Sequence, residues 1–487
     1  MLEGRTRQAA ALAAALTAAG CATGGSGPVA TAPAADSAAR DSAQIRNLLH
    51  GTPGGAWRSA YEPLPSEPVL IRDATVMTAT GREIEGGDVL LRDGHVAAVG
   101  RDLDARGARE IDASGRYVTP GLIDTHSHMG DYPDPEVQGH FDGNEATDPV
   151  TAGVWAEHSI HPQDPSFTRA LAAGVTTVQV LPGSANLVGG RGVTLRMVPR
   201  RTVQAMKFPG APQALKMACG ENPKRVYGDE GGPSTRMGNV AGYRRAFVEA
   251  RAYRDRWDEW ADGGAAGDPP ERDLGLETLA EVLRGNVLVH MHCYRADEMV
   301  QMLNLAREFG FRIRSFHHAT EAYKVRDHLA RDSVAASMWY DWWGFKMEAF
   351  DAVPQNLALV SESGAPAVLH TDSDLGVQVM NQDAARAMHD ARAHGLDVGR
   401  DEALRWITAN PAWALGLADE TGTLEAGKRA DVVIWSHDPF SIHARADQVF
   451  IDGALVYDRS RRELRPTTDF EAGILPDRAY GGEEEGR

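Results

Sequence analysis

The sequence predicts an α/β protein in which a parallel β-sheet or barrel occupies the middle of the chain and a smaller β domain combines segments from both sides. Two observations predict this arrangement. Between residues 119 and 414, short apolar strands alternate with amphipathic helical stretches, which is the pattern of repeated βα units. Residues 67–118 and 415–465 instead carry closely spaced strand patterns, so these two segments are expected to pair.

Composition excludes several classes of protein. The chain has 487 residues, of which 43% are hydrophobic, and this is enough for a sizeable core. Its 50 basic and 68 acidic side chains give a formal net charge of −18. Without a basic patch to neutralise phosphates, we expect no nucleic-acid partner. No uninterrupted apolar run reaches the roughly 18 residues of a membrane span, which excludes a multi-pass membrane protein.

The N-terminal segment has the features of an export signal. Arg5 and Arg7 precede an apolar run, and small residues lead to Cys21. The pattern resembles a bacterial lipoprotein signal over residues 1–20, in which Cys21 is lipidated and anchors the protein on the periplasmic side of the cell envelope. A plain signal peptide would instead release it into the periplasm. Residues 21–66, rich in Ala, Gly, Ser and Pro, predict a flexible tether.

The body of the chain begins with short strands, including a hairpin at Asp93-Gly94, a favoured two-residue turn. One amphipathic helix is predicted to end at Gly310. Residues 466–487 are read as a C-terminal tail. The central strands are predicted at residues 175–181, 287–292, 311–317, 333–338 and 367–370.

Three cysteines are too few for a disulfide scaffold. With Cys21 assigned to lipid, Cys219 and Cys293 remain, and their spacing does not indicate a zinc knuckle. We expect two buried free thiols.

The sharpest motif is PGLIDTHSH at residues 120–128. Side chains alternate along a strand, so His126 and His128 project from the same face. Two neighbouring imidazoles at a strand end can bind one divalent metal.

Residues of the types that bind metals also occur at the ends of later strands. His292 ends one strand, His318 follows the next, and Asp372 comes after the last. A βα barrel carries its active site at the C-terminal ends of its strands. The sequence therefore predicts a metal centre there.

Together these residues resemble the amidohydrolase superfamily. The resemblance includes PGLIDTHSH, HTDS at 370–373, NPA at 410–412 and EAGKRADVV at 425–433, while residues 181–186 and 220–225 are similar to the imidazolonepropionase-related branch. It implies a distorted (β/α)8 TIM-like barrel with a composite β-sandwich built from both chain ends. It also implies one or two divalent metal ions that activate a water. Zn²⁺ suits the ligands, and Mn²⁺ or Fe²⁺ stay open.

Site residues are carried over from the same resemblance. His126 and His128 match the first-strand metal pair, and His292, His318 and Asp372 match ligands on the fifth, sixth and eighth strands. Asp372 and His318 are the expected catalytic residues. An anion between two metals would come from one of two residues, Lys216 as a carbamate or Glu221. Lys216 is favoured because carbamylation would remove the cost of burying an ammonium.

Two residues are candidates for binding substrate. Arg295 could hold a carboxylate, or it forms a surface ion pair. Tyr323 could donate a hydrogen bond at the barrel mouth, or it packs as a barrel aromatic. The aromatic residues between 339 and 345 would form an apolar wall or pack a helix against the barrel.

The resulting hypothesis is a metal-dependent hydrolase of an amide-type C–N bond in a small molecule or short peptide: a cyclic amide, an N-acyl amino acid or a dipeptide. The alternative is a non-catalytic binding lipoprotein on the same barrel. Nothing in the sequence predicts an oligomeric state.

Overall fold

A computed structural model describes residues 56–342, 344–461 and 464, which form two eight-stranded sheets. This confirms the predicted α/β class, with a barrel-like sheet and a second sheet built from both sides of it. The predicted signal, the lipidation site at Cys21, most of the tether and the tail lie outside the described residues. Among those that are described, no helix is long and apolar enough to cross a membrane.

The composite sheet combines strands from both sides of the barrel in the order β16-β15-β14-β5-β1-β2-β3, with β4 beside β1. Its halves meet where β14 pairs antiparallel with β5. The predicted hairpin joins β2 to β3, and both Asp93 and Gly94 have positive φ, as its tight turn requires. The strands are β1 Val69–Met77, β2 Glu83–Arg92, β3 His95–Gly100, β4 Arg109–Asp112, β5 Tyr117–Pro120, β14 Val432–Trp435, β15 Ala446–Ile451 and β16 Ala454–Asp458.

Strand β14 connects two cores. Val432 and Ile434 point into the apolar core of the composite sheet, whereas Val433 and Trp435 belong to the core of the barrel. This follows from the two-residue alternation of a strand buried on both faces. Side chains of β14 thereby pack the composite sheet against the barrel, and Val449 and Ile451 of β15 belong to the same barrel core.

The barrel sheet runs β6-β7-β8-β9-β10-β11-β12-β13. It departs from a uniform parallel barrel at β8, which is antiparallel to both neighbours. Between β13 and β6 the backbone of Trp406 and Ile407 intervenes, accepting hydrogen bonds from Leu369 and Ile123. The strands are β6 Leu122–Ser127, β7 Val175–Val180, β8 Val188–Arg196, β9 Gln213–Ala218, β10 Val287–His292, β11 Ile313–His317, β12 Ala335–Met338 and β13 Ala367–Leu369.

Helices lie in the connections between these strands. The helix before β11 ends at Gly310, which has a positive φ, as predicted. The α-helices are α1 Pro165–Ala172, α2 Val203–Met206, α3 Glu221–Tyr227, α4 Arg236–Asp262, α5 Leu274–Arg284, α6 Ala296–Phe309, α7 Arg326–Asp332, α8 Asn356–Glu362, α9 Met380–Ala393, α10 Arg400–Arg405 and α11 Ala409–Ala414.

Cys219 and Cys293 form a disulfide, so the prediction of two free thiols is wrong. The reason is strand register. Parallel strands β9 and β10 pair Ala218 with His292, and the residues that follow, Cys219 and Cys293, therefore lie side by side with their Cα atoms 5.2 Å apart. That separation suits a disulfide. The two cysteines are 74 residues apart in the sequence, so no local pattern indicated that they pair.

A buried ion cluster links the barrel to the composite sheet. The Arg196 guanidinium, at the end of β8, donates two hydrogen bonds to the Asp431 carboxylate. It also lies 3.0 Å from an Asp452 oxygen. All three side chains are almost fully buried, so removing the cation would leave the Asp431 carboxylate without a cation, whereas Asp452 would keep its pair with Arg429.

Replacing this arginine should therefore destabilise the protein strongly. We expect Arg196→Met to lower the free energy of unfolding by about 3–5 kcal/mol, the usual cost of breaking a buried ion pair. The matched control is Arg244→Met, which removes an exposed pair with Glu308 and should cost about 0–1 kcal/mol. Denaturant unfolding measures both values, and equal stabilities of the two variants would contradict this account.

Candidate metal centre

The first-strand histidines lie together at the end of β6. Their ring centroids are 5.1 Å apart, and the His126 and His128 Nε2 atoms lie 3.5 and 3.3 Å from the same oxygen of Asp372. His126 is fully buried, whereas His128 retains some exposure. The shared face expected from strand alternation is the arrangement found.

His318 and Asp372 adopt left-handed backbone conformations, with φ of 56° and 52°. Such values are uncommon outside glycine, although Asp and His tolerate them better than most residues, and they cluster at functional sites. His318 follows β11 directly, and the Asp372 N–H donates to the His126 carbonyl at 3.2 Å. Candidate ligand atoms of His126, His318 and Asp372 lie within 4.8 Å of one another, close enough to hold one ion.

Lys216 lies on β9 beside this cluster. Its Nζ is 3.4 Å from His126 Nε2 and donates to the Pro182 carbonyl at 3.0 Å. The side chain is fully buried, and burial lowers the pKa of its ammonium to about 7. A neutral amine is the form that reacts with carbon dioxide, so the environment of Lys216 suits a carbamate.

His292 has two ring nitrogens without a hydrogen-bond partner among the described residues, although the side chain is only 2% exposed. Buried polar groups are nearly always satisfied, so these nitrogens indicate a missing ligand. Burial also lowers the pKa of His126, His292 and His318 well below the ordinary value, and nearby cationic groups add to this effect. The imidazoles are therefore neutral, the state in which they bind metal. Nitrogen and carboxylate donors of this kind fit a divalent ion such as Zn²⁺.

Glu221, the alternative bridging residue, is engaged elsewhere. It begins helix α3, and its carboxylate lies 3.4 Å from the Lys346 ammonium. Its backbone N–H donates to the carboxylate of Glu348. Of the two candidates, Lys216 lies against the histidines, whereas Glu221 is paired with the Lys346 ammonium.

Both residues predicted to bind substrate make other contacts. The Arg295 guanidinium forms a bidentate pair with Asp297, with distances of 2.9 and 3.0 Å. The Tyr323 hydroxyl donates to the Asp351 carbonyl at 3.1 Å. Both side chains are thus engaged within the protein, and their substrate-binding assignments stay predictions. For Arg295 the arrangement is the surface ion pair that the sequence left as the alternative.

A chain of histidines lies behind the site. His126 Nδ1 is 2.8 Å from His317 Nδ1, and His317 Nε2 is 2.8 Å from His290 Nδ1. Because His126 turns Nε2 toward Asp372, its Nδ1 is available to donate to His317. Such partners orient metal-binding imidazoles and fix their tautomers. The signal for this chain in the sequence is a pair of histidines at the end of each of two neighbouring strands, β10 and β11.

Sequence reasoning missed Asp124, although it is part of the PGLIDTHSH motif. Its carboxylate accepts hydrogen bonds from the backbone of His126 and from the hydroxyl of Thr371. Burial raises the pKa of Asp124 to about 7. The contacts tie the His126 strand to the segment that carries Asp372, so Asp124 sets the spacing of two candidate ligands.

Comparison with known proteins places this fold and site in a family. An amidohydrolase-family model matches residues 321–457. A solved amidohydrolase from Thermotoga maritima MSB8 is 36% identical, with a TM-score of 0.75, over 80% of this chain and 100% of that one. The chain belongs to the amidohydrolase superfamily.

Two curated relatives refine the placement. The imidazolonepropionase of Mesorhizobium japonicum is 27% identical over 72% of this chain and 87% of its own length, in keeping with the imidazolonepropionase-related branch. Amidohydrolase tasK of Hapsidospora irregularis is 33% identical over 83% of this chain. The match spans only 45% of tasK.

Removing the first histidine partner should weaken metal binding. We expect His317→Leu to raise the metal dissociation constant about 10–100-fold, because His126 loses the acceptor that orients it. His317→Asn, which keeps an acceptor near the Nδ1 position, should recover much of that loss. Competition with a chelator measures the affinity, and thermal unfolding verifies folding.

The exposed His443 provides the control, since His443→Leu should leave metal affinity unchanged. A folded His317→Leu variant with wild-type metal affinity would contradict a positioning role for His317.

Proposed function

We propose that this protein is a metal-dependent hydrolase that cleaves an amide-type C–N bond in a small molecule or short peptide. The observation that carries the proposal is the convergence of His126, His318 and Asp372, with Lys216 against the same cluster. Cyclic amides, N-acyl amino acids and dipeptides are the candidate substrates. A protein that only binds a ligand has no need to assemble this set, which disfavours the non-catalytic alternative.

The metal would be held by the residues of the barrel interior. Its ligands would come from His126, His128, His292, His318 and Asp372, with a carbamate on Lys216 as the bridge if two ions bind. When bound, such an ion lowers the pKa of a coordinated water toward about 7 and polarises a carbonyl.

Side chains of the protein would then carry out the proton transfers. Asp372 is the least buried carboxylate of the cluster, with 18% of its side chain exposed, so it can reach both water and substrate. It is placed to accept a proton from the attacking water and deliver it to the leaving nitrogen. The His318 Nε2 atom lies 3.8 Å from the other Asp372 oxygen, and burial lowers the pKa of this imidazole, so it adds no positive charge beside the carboxylate.

We also propose that the protein is exported and anchored by lipid at Cys21. The Cys219–Cys293 disulfide supports an oxidising compartment, because disulfides are rare in reducing cytoplasm. An export route also disfavours a role inside the cell for the enzyme.

Substitution of Asp372 tests the hydrolytic proposal. We expect Asp372→Asn to lower kcat about 10²–10⁴-fold, the usual contribution of general acid–base catalysis, while the protein stays folded. The assay is a screen of dipeptides, N-acyl amino acids and lactams with metal-loaded protein.

Asp374→Asn is the matched control. Asp374 lies two residues away and pairs with Arg169, so its loss should leave kcat within about twofold. A near-normal kcat in Asp372→Asn would assign the proton transfer to another group.

Substitution of Cys21 tests the location. The wild-type protein should fractionate with membranes and carry acyl chains, because about 0.8 kcal/mol per buried CH₂ accumulates over several chains. Cys21→Ser should release the protein or leave it unprocessed. Unchanged membrane association and mass would refute lipidation at this residue.

A further inference from the structure

An aromatic surface begins directly on two of the candidate ligands. The Trp339 indole stacks on His318 with ring centroids 4.3 Å apart and an interplanar angle of 26°. The Tyr294 ring meets His292 edge-on at 4.5 Å. Trp339 Nε1 also donates to the Thr371 carbonyl at 3.2 Å, which holds the indole beside the segment leading to Asp372.

Two further rings extend this surface toward solvent. Trp342 stacks on Trp339 at 5.0 Å, and Phe345 contacts the edges of Trp339 and Tyr294 at 5.8 and 6.3 Å. We call Tyr294, Trp339, Trp342 and Phe345 the aromatic shelf. Its inner half is packed against the site, but Trp342 and Phe345 remain 42% and 54% exposed. Packing inside the protein therefore leaves the outer half of the shelf uncovered.

Two cations near the shelf, Lys346 and Arg295, are already paired. The Lys346 ammonium lies 4.6 Å from the Tyr294 ring centroid, but it is also 3.4 Å from the Glu221 carboxylate. The Arg295 guanidinium is held by Asp297. Neither of these two cations is therefore free to capture a carboxylate, and the recognition feature offered by the rings themselves is apolar contact.

We propose that the aromatic shelf is a substrate-binding subsite that takes a bulky apolar group, aromatic or branched aliphatic, next to the scissile C–N bond. This rests on the hydrolytic function proposed above and narrows its substrate class to amides with such a group. Aromatic rings favour offset-stacked and edge-to-face partners, and the exposed parts of Trp342 and Phe345 are available for such contacts. A substrate group seated there would cover the exposed parts of both side chains, with the Trp339 indole between Trp342 and His318.

The first test compares matched substrates with the full-length, metal-loaded protein. The pairs are N-phenylacetyl-glycine with N-acetyl-glycine, and N-acetyl-phenylalanine with N-acetyl-alanine. At least one bulky member should exceed its small partner about 10-fold or more in kcat/KM. Trp342→Ala and Phe345→Ala should each reduce that ratio severalfold.

Ile442→Ala is the control, because Ile442 is a large exposed apolar residue of the segment joining β14 to β15 and should leave the ratio unchanged. A wild-type ratio near one in both pairs would overturn the subsite, and so would a ratio that neither shelf variant alters.

A second measurement is independent of turnover. Calorimetric titration with phenylacetate and acetate should show tighter binding of phenylacetate, and Trp342→Ala should reduce that preference. Equal binding of the two acids would overturn the subsite. If phenylacetate binds preferentially but no amide is hydrolysed, the shelf stands and the proposed hydrolytic function fails. If amides are hydrolysed without apolar preference, the function stands and the shelf fails.

Discussion

The side chains of Lys216, His292 and His318 lose almost all contact with water where the barrel strands end, and a charged form of any of them would be costly there. Burial lowers their pKa values, so the two imidazoles are neutral electron-pair donors and the Lys216 amine is in the form that can become a carbamate. The Asp372 carboxylate faces the same space. A divalent cation satisfies both conditions at once, since it uses neutral nitrogen donors and balances the carboxylate. The contacts around this cluster must therefore compensate for its desolvation.

Several features of the fold hold the cluster in place. A hydrogen bond from Thr371 to Asp124 links the strand of His126 to the segment that carries Asp372, and His317 contacts the Nδ1 atom of His126. The left-handed backbone at His318 and Asp372 costs conformational free energy, typically about 1–3 kcal/mol per residue, which these surrounding contacts must offset. Disulfide-linked Cys219 and Cys293 join the two strands that carry Lys216 and His292. The composite sheet stabilises the barrel from outside through Arg196, at a distance from the chemistry.

Sequence reasoning succeeded where local periodicity determines the outcome. The face shared by His126 and His128 follows from strand alternation, and the composite sheet follows from strand patterns at both ends of the barrel. Alternation does not hold between His317 and His318. The positive φ of His318 breaks the alternation, and both rings approach His126, at 4.8 and 4.3 Å between centroids.

Other features depend on the tertiary fold and could not be read from local patterns. The Cys219–Cys293 pairing depends on the register of β9 against β10. The choice between Lys216 and Glu221 depends on Lys346, a residue more than a hundred positions away that pairs with Glu221. Analysis of bound metal in Lys216→Ala and Glu221→Gln, with intact mass of the wild-type protein, tests the central claim most directly. We expect a carbamate on wild-type Lys216, loss of metal in Lys216→Ala and full metal in Glu221→Gln, whereas full metal in Lys216→Ala with loss in Glu221→Gln would contradict the account.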